Sequence, residues 1–188
     1  MKKYLISLLL CLALVFSTTI AFASSVKLSI PQGPDYKQPD GSMWCWAASN
    51  KCIIQFIKGS SKSQSDIVYD EFGNRSLNQG ATLEQAKESL GRYGLKSSLQ
   101  DNGLSFNGVV SQINNNHPIF ARIENGGGLL YSHANTIRGY DTSTNMLYFE
   151  DPYDGLYHAQ NFNDYSSGVH WDGYAYEWDG SIFDISIK

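Results

Sequence analysis

The sequence is short of charge, and shortest of positive charge. Only 17% of its 188 residues are Asp, Glu, Lys or Arg, with 14 basic against 18 acidic side chains and a net charge of −4. That balance speaks against a nucleic-acid binder, which holds phosphates through a basic face. Cysteine is scarce at three residues, so this is no disulfide-framed miniature. Five prolines and 17 glycines are too few for collagen-like or low-complexity sequence. No heptad or solenoid period runs through the chain. Apolar residues, at 42%, suffice for a packed core and exclude wholesale disorder. The length suits one domain.

Long apolar runs are absent too, with one exception at the start. Lys2 and Lys3 precede an apolar run over residues 4–16, and Ala21-Phe22-Ala23 follows it. This is the three-part pattern of a secretory signal peptide cleaved after Ala23, too short for a comfortable membrane span. The expected organisation is a signal peptide over 1–23 and one folded domain over 24–188. The mature product is expected to be secreted (extracellular or periplasmic), free of the membrane and monomeric. Cleavage removes Cys11 and leaves Cys45 and Cys52.

Residues 42–59 predict a helix, with Ser42 as N-cap and Gly59 as terminator. Cys45, Ser49, Cys52, Ile53 and Phe56 share one of its faces. Along a helix the two thiols stand about 10.5 Å apart, whereas a disulfide tolerates Cα separations up to about 7 Å. The same gap disfavours a shared zinc ion. Cys52, beside Ile53 and Ile54, reads as a small core residue. Cys45 falls in the first turn, where unpaired backbone N–H groups and the helix dipole favour a thiolate. No cofactor is expected. Gly126-Gly127-Gly128 lacks the Lys-Ser/Thr of a phosphate loop, and the scattered aspartates lack a calcium-loop pattern.

A thiol nucleophile needs a base, and the base an orienting group. His117 precedes Pro118 in a loop, while His158 and His170 lie in stretches without periodicity. His133 has the better setting. Residues 132–140 alternate, Asp141 to Asn145 form a polar turn, and a second strand runs to Asp151 before Pro152. This predicts a β-hairpin. A turn centred near Thr142 sets His133 directly opposite Asp151, where a carboxylate accepts the imidazole N–H and stabilises its charged form. A slip of one residue would part them.

Trp44-Cys45-Trp46-Ala47-Ala48-Ser49, then Ser132-His133-Ala134 leading to Gly139-Tyr140-Asp141, then Asp151-Pro152 and Gly155 resemble the papain-like cysteine peptidases. More narrowly, the chain is similar to the compact bacterial branch with secreted effector proteases and bacteriocin-leader peptidase domains. The resemblance implies Cys45 as nucleophile, His133 as general base and later acid, and Asp151 in the orienting role that many relatives give to Asn. It implies an upstream Gln as oxyanion donor beside the nucleophile's own N–H; Gln38 is the match and Gln32 a weaker candidate. It also implies a protein or peptide substrate. Trp44, Trp46 and Tyr153 are candidate substrate-groove residues, with Trp171, Tyr174 and Tyr176.

The remaining pattern is helices first and antiparallel strands second, an α+β fold of the papain-like kind. Helices are predicted over 66–72 (capped by Ser65 or Asp66), 82–93 (a Thr82/Gln85 capping box) and 106–115 (capped by Ser105). Strands are predicted over 118–124, 132–140, 146–151 and 174–187, with a tight turn at Asp179-Gly180. The leading expectation is an exported cysteine peptidase working through a thioester acyl-enzyme. The alternatives are a transamidase or amidase on cell-wall or isopeptide bonds with the same triad, and a catalytically silent binding module.

Overall fold

The computed structural model describes residues 24–60, 62–125, 132–169, 173 and 175–188. The expected signal peptide, the Gly126-Gly127-Gly128 loop, His170, Trp171 and Tyr174 lie outside the described residues. The architecture is α+β, as the pattern of elements predicts. Five described helices pack on an antiparallel sheet.

The helices form largely where caps and apolar spacing direct. α1 (Cys45–Lys58) ends at Gly59, which takes the left-handed conformation (φ 71°) and returns its N–H to the Gln55 carbonyl. Its start differs from expectation. The N-cap residue is Trp44 and, among the described residues, no side chain caps the helix; Ser42 is drawn into a turn in which its N–H donates to the Pro39 carbonyl. α2 (Gln64–Phe72) is capped by Ser63 rather than Ser65 or Asp66, with the Ser63 hydroxyl accepting from the Asp66 N–H. α3 (Leu83–Arg92) carries the Thr82/Gln85 capping box, and α4 (Phe106–Asn114) the Ser105 cap.

The strands are β1 (Ser25–Lys27), β2 (Leu95–Gln100), β3 (Ile119–Asn125), β4 (Ser132–Asp141), β5 (Met146–Asp151), β6 (Leu156–Asn161), β7 (Gly168–Val169) and β8 (Ala175–Ile187), with α5 (Phe162–Ser167) between β6 and β7. The sheet order is β2-β8-β3-β4-β5-β6, with β1 added to β4 and β7 to β8. β1, β2, β6, β7 and α5 are additions to the predicted set. Their sequences carry weak periodicity, and neighbours in the fold recruit them.

The expected turn at Asp179-Gly180 does not form, and β8 runs through it as one strand of 13 residues. Arg122 pairs with Gly180 and Ile123 with Trp178, so Asp179 is the extra residue of a bulge. Its carboxylate instead accepts from Arg122, at 3.0 Å from Nε and 2.9 Å from the terminal nitrogen.

Two apolar clusters fill the molecule, and β3 divides its side chains between them. Ile119, Ala121 and Ile123 join Val109 and Ile113 of α4 and Tyr165 of α5. Phe120 joins Ala47, Ile53 and Ile54 of α1 and residues of α2 and α3. This alternation fixes which way each residue opposite β3 on β4 must face. His133 lies across from Ile123 and Asn135 across from Ala121, so both turn toward the α4–α5 cluster.

Candidate active site

Cys45 is the first residue of α1, half-buried and free. With no side-chain cap, the first-turn N–H groups stay available to a negative charge at that point. The approach to the helix is held from the side. The Trp44 indole N–H donates to the Leu77 carbonyl (2.8 Å), the Trp46 indole to that of Gln79 (3.2 Å), and the Met43 N–H to Asn78 Oδ1 (2.7 Å). Trp46 is only 2% exposed and sits edge-on to Phe72 in the core. The expectation that it lines a groove is therefore corrected: its ring is spent on packing the helix start. Trp44 is half-buried and Tyr153 is 63% exposed.

His133 and Asp151 are brought together, but not as a directly opposed pair. On the turn side, Asp141 pairs with Met146, Tyr140 with Leu147 and Gly139 with Tyr148. A one-residue bulge at Arg138 then shifts the register, so that Ile137 meets Phe149 and Thr136 meets Glu150. Asn135, not His133, thus stands across from Asp151. His133 occupies the diagonal position on the same face, within reach of a long side chain. Its Nε2 lies 2.6 Å from Asp151 Oδ1.

The bulge has visible causes. The Arg138 carbonyl accepts from the Leu28 N–H (2.7 Å), and Arg138 Nε donates to the Leu28 carbonyl (2.9 Å). Its guanidinium lies 3.8 Å from the centre of the Tyr157 ring. At Gly139 a side chain is impossible without movement, since a Cβ would come within 2.5 Å of the Val26 carbonyl oxygen.

Burial works against a charged His133. The Asp151 carboxylate beside it, the hydrogen bond between them and a hydrogen bond with the Cys45 thiol outweigh that, and hold the imidazole well above the usual histidine range. Since Nε2 is taken by Asp151, the other ring nitrogen is the one left for the thiol. Asp151, itself 1% exposed, also accepts from the Tyr153 N–H on Oδ1 (2.9 Å) and from Asn135 Nδ2 on Oδ2 (3.0 Å). Among the described residues, these contacts set at least three donors around the carboxylate.

Gln38 is held at the rim of this cluster. Its N–H donates to the Pro152 carbonyl (2.8 Å) and its side-chain nitrogen to the Ser42 carbonyl (3.0 Å), while Oε1 is buried without a hydrogen-bond partner among the described residues. The loop is clamped to the turn after Asp151, where the Gly33 N–H donates to the Gly155 carbonyl (2.7 Å). Gly155 is required there: its φ is 74°, and a Cβ would meet the Gly33 oxygen at 2.6 Å. Gln32 serves elsewhere, accepting from the Tyr157 N–H (3.1 Å).

Two residues of the site escape sequence reasoning. Asn135 is fully buried between Asp151 and the Tyr165 hydroxyl, which donates to its Oδ1 (2.7 Å). A step of two from His133 along an alternating strand would have pointed to it. Glu150 is fully buried, and neither carboxyl oxygen has a hydrogen-bond partner among the described residues. Burial, and then the charge of Asp151, push its carboxyl well above the usual range. Cys52, fully buried with its Sγ 3.4 Å from the Pro31 carbonyl oxygen, is a core thiol as expected. His158 pairs with Asp154 (3.0 Å). Among the described residues no acidic, histidine and cysteine side chains gather in a group able to hold a metal ion.

Residues 26–169, well over half the chain, match the family model described as papain-like cysteine protease AvrRpt2. No curated protein matches significantly. Several solved structures share the fold at low identity. Xylellain, a cysteine protease from Xylella fastidiosa, is 13% identical with a TM-score of 0.58, over 92% of this chain and 90% of that one. The peptidase domain of Streptococcus ComA, a bifunctional ABC transporter involved in quorum sensing, is 16% identical with a TM-score of 0.56, over 81% and 96%. A double-glycine-motif protease from an AMS/PCAT transporter, solved with the leader peptide, is 14% identical with a TM-score of 0.56, over 87% and 95%.

Proposed function

Since the chain belongs to the papain-like cysteine protease family, and is thus a cysteine peptidase acting on protein or peptide, we propose that it cleaves its substrate with Cys45, His133 and Asp151. The observation that carries this assignment is the 2.6 Å contact between His133 and the buried Asp151, with the Cys45 thiol near enough to act on the same imidazole and standing at the start of α1.

The chemistry follows from the charges. With its proton on His133, the Cys45 sulfur attacks the scissile carbonyl as a thiolate. The oxyanion so formed is met by the Cys45 N–H and the Gln38 side-chain amide, whose carbonyl-bonded hydrogen fixes its plane and leaves the second hydrogen to donate. His133 then passes its proton to the departing amine, and a thioester joins Cys45 to the acyl half. A water, giving its proton to the now neutral His133, hydrolyses that thioester. The acid product leaves and the thiolate–imidazolium pair returns. Asp151 keeps the ring oriented throughout and favours its charged form.

Export belongs to the same proposal. Its support is the signal-peptide pattern of residues 1–23, and among the described residues no helix is long and apolar enough to cross a membrane. The test is direct. Cys45→Ala should abolish both peptide cleavage and iodoacetamide labelling of the folded protein, while Cys52→Ala leaves both in place. Cleavage at the wild-type rate by the Cys45 variant would refute the assignment.

A further inference from the structure

Asn135 is absent from the three-residue scheme above, yet it is the residue directly opposite Asp151. It is fully buried, as is Tyr165, so no solvent can stand in for either partner. The order of donors runs one way. The Tyr165 hydroxyl donates to Asn135 Oδ1 at 2.7 Å, which turns the Asn135 NH2 toward Asp151 Oδ2 at 3.0 Å. The opposite amide orientation would set Oδ1 against a carboxylate oxygen. Tyr165 cannot swing away, for its ring is packed between Phe149 (5.0 Å between centres) and Trp178 (5.5 Å).

We propose that Asn135, oriented by Tyr165, is a positioning residue that holds Asp151 on His133 and makes a carboxylate, rather than a carboxamide, necessary at position 151. An oxygen must face the Asn135 NH2, and a second oxygen must accept from His133 Nε2. Only Asp offers both. A carboxamide at 151 would turn its own NH2 either onto that of Asn135 or onto His133, and a buried donor facing a donor is costly. Among the described residues, the ionisable groups around this point are Cys45 from α1, Glu150 beside Asp151 on β5, Asp154 in the turn that follows, and Tyr165 from α5. Glu150 has no donor of this kind among the described residues. The inference rests on Asp151 being the group that orients the base.

The test is to exchange the two side chains. In Asp151→Asn alone, the rate of Cys45 alkylation by iodoacetamide near neutral pH should fall about tenfold or more, the worth of a hydrogen bond to a charged group. In the double variant Asn135→Asp/Asp151→Asn the bonds linking His133, position 151, position 135 and Tyr165 can re-form. The carboxamide at 151 accepts from His133 and donates to the new carboxylate, which also accepts from Tyr165. Most of the lost rate should return. The alkaline limb of its pH profile should lie below that of wild type, because the charge now stands one side chain further from the imidazole. A purely structural Asn135 would give a double variant no better than Asp151→Asn, and that result overturns the proposal. Should the double variant fail to fold, Tyr165→Phe decides. It keeps the ring and should lower kcat severalfold on a fluorogenic peptide with KM unchanged, whereas wild-type kcat refutes the role. Asp151→Ala separates the two levels: wild-type alkylation there would mean that the orienting role of Asp151 itself is wrong.

Discussion

His133 meets Asp151 diagonally across the β4–β5 hairpin, two residues away from the position directly opposite, and the contact is 2.6 Å long. The register near the turn would by itself put Thr136 opposite Asp151, and His133 on the other face of the sheet. One extra residue, Arg138, changes that parity and returns His133 to the side of Asp151.

That dependence is testable at Gly139, whose hydrogen atoms leave room for the Val26 carbonyl. Gly139→Ala should push β1 away from the bulge, at a cost of about 1–3 kcal/mol in urea unfolding. If the bulge positions the base, Cys45 alkylation should also slow in the protein that remains folded. A folded variant with the wild-type alkylation rate would uncouple bulge from site.

The sequence of this hairpin points to the His133–Asp151 pair, but through a directly opposed register that the bulge at Arg138 rules out. Alternation in Ser132 to Tyr140 and the polar turn at Asp141 to Asn145 located both strands, and the helix carrying Cys45 was legible from its apolar face and Gly59. The bulge was not legible, since it depends on Leu28 and Val26, more than a hundred residues upstream. Ser42 is a good cap by type, but Trp44 takes that place once its indole binds the Leu77 carbonyl. Trp46 looked like a groove residue because it flanks the thiol, and only the packing of Phe72 against it shows it to be core. Asn135 was within reach of the period-two rule. The burial of Glu150 without a hydrogen-bond donor among the described residues was not, because nothing local marks a carboxyl that no donor will reach.

The charge on His133 gives a pH prediction with a definite sign. Asp151 raises the folded-state value above that of a free histidine, so the stability this pair contributes is complete below about pH 6.5. It is lost as pH rises through the raised folded value. Activity should share that alkaline limit. Asp151→Ala should move the alkaline limb of kcat/KM to lower pH and cut kcat about 10³-fold or more. A limb that stays in place would show that some other group sets it.

Gln38 should separate acyl transfer from simple thiol reactivity. Gln38→Ala is expected to lower kcat by about 10²–10³-fold. Iodoacetamide alkylation, which develops no oxyanion, should continue near the wild-type rate. Gln32→Ala should leave kcat almost unchanged, as its oxygen serves the Tyr157 N–H. Equal losses in the two variants would remove Gln38 from the oxyanion site.

Glu150 predicts a variant more stable than the natural protein. The carboxyl is fully buried without a hydrogen-bond partner among the described residues. Burial and the neighbouring Asp151 charge raise its folded-state value well above that of the unfolded chain. Between the two values the unfolded state gives up its proton and the folded state does not. Stability therefore declines as pH rises from about 4.3, where an unfolded glutamate titrates, until the folded value is reached. Glu150→Gln keeps the shape and removes the proton exchange. Its unfolding free energy should match wild type near pH 4 and exceed it by at least about 1 kcal/mol at pH 8, since each unit of the window is worth about 1.4 kcal/mol. Urea unfolding of both proteins from pH 4 to pH 9 measures the difference. A gap that does not widen with pH would mean that Glu150 is ionised in the folded protein. Asp151 would then share its buried surroundings with a second negative charge, and the single-carboxylate reading of the site would have to be given up.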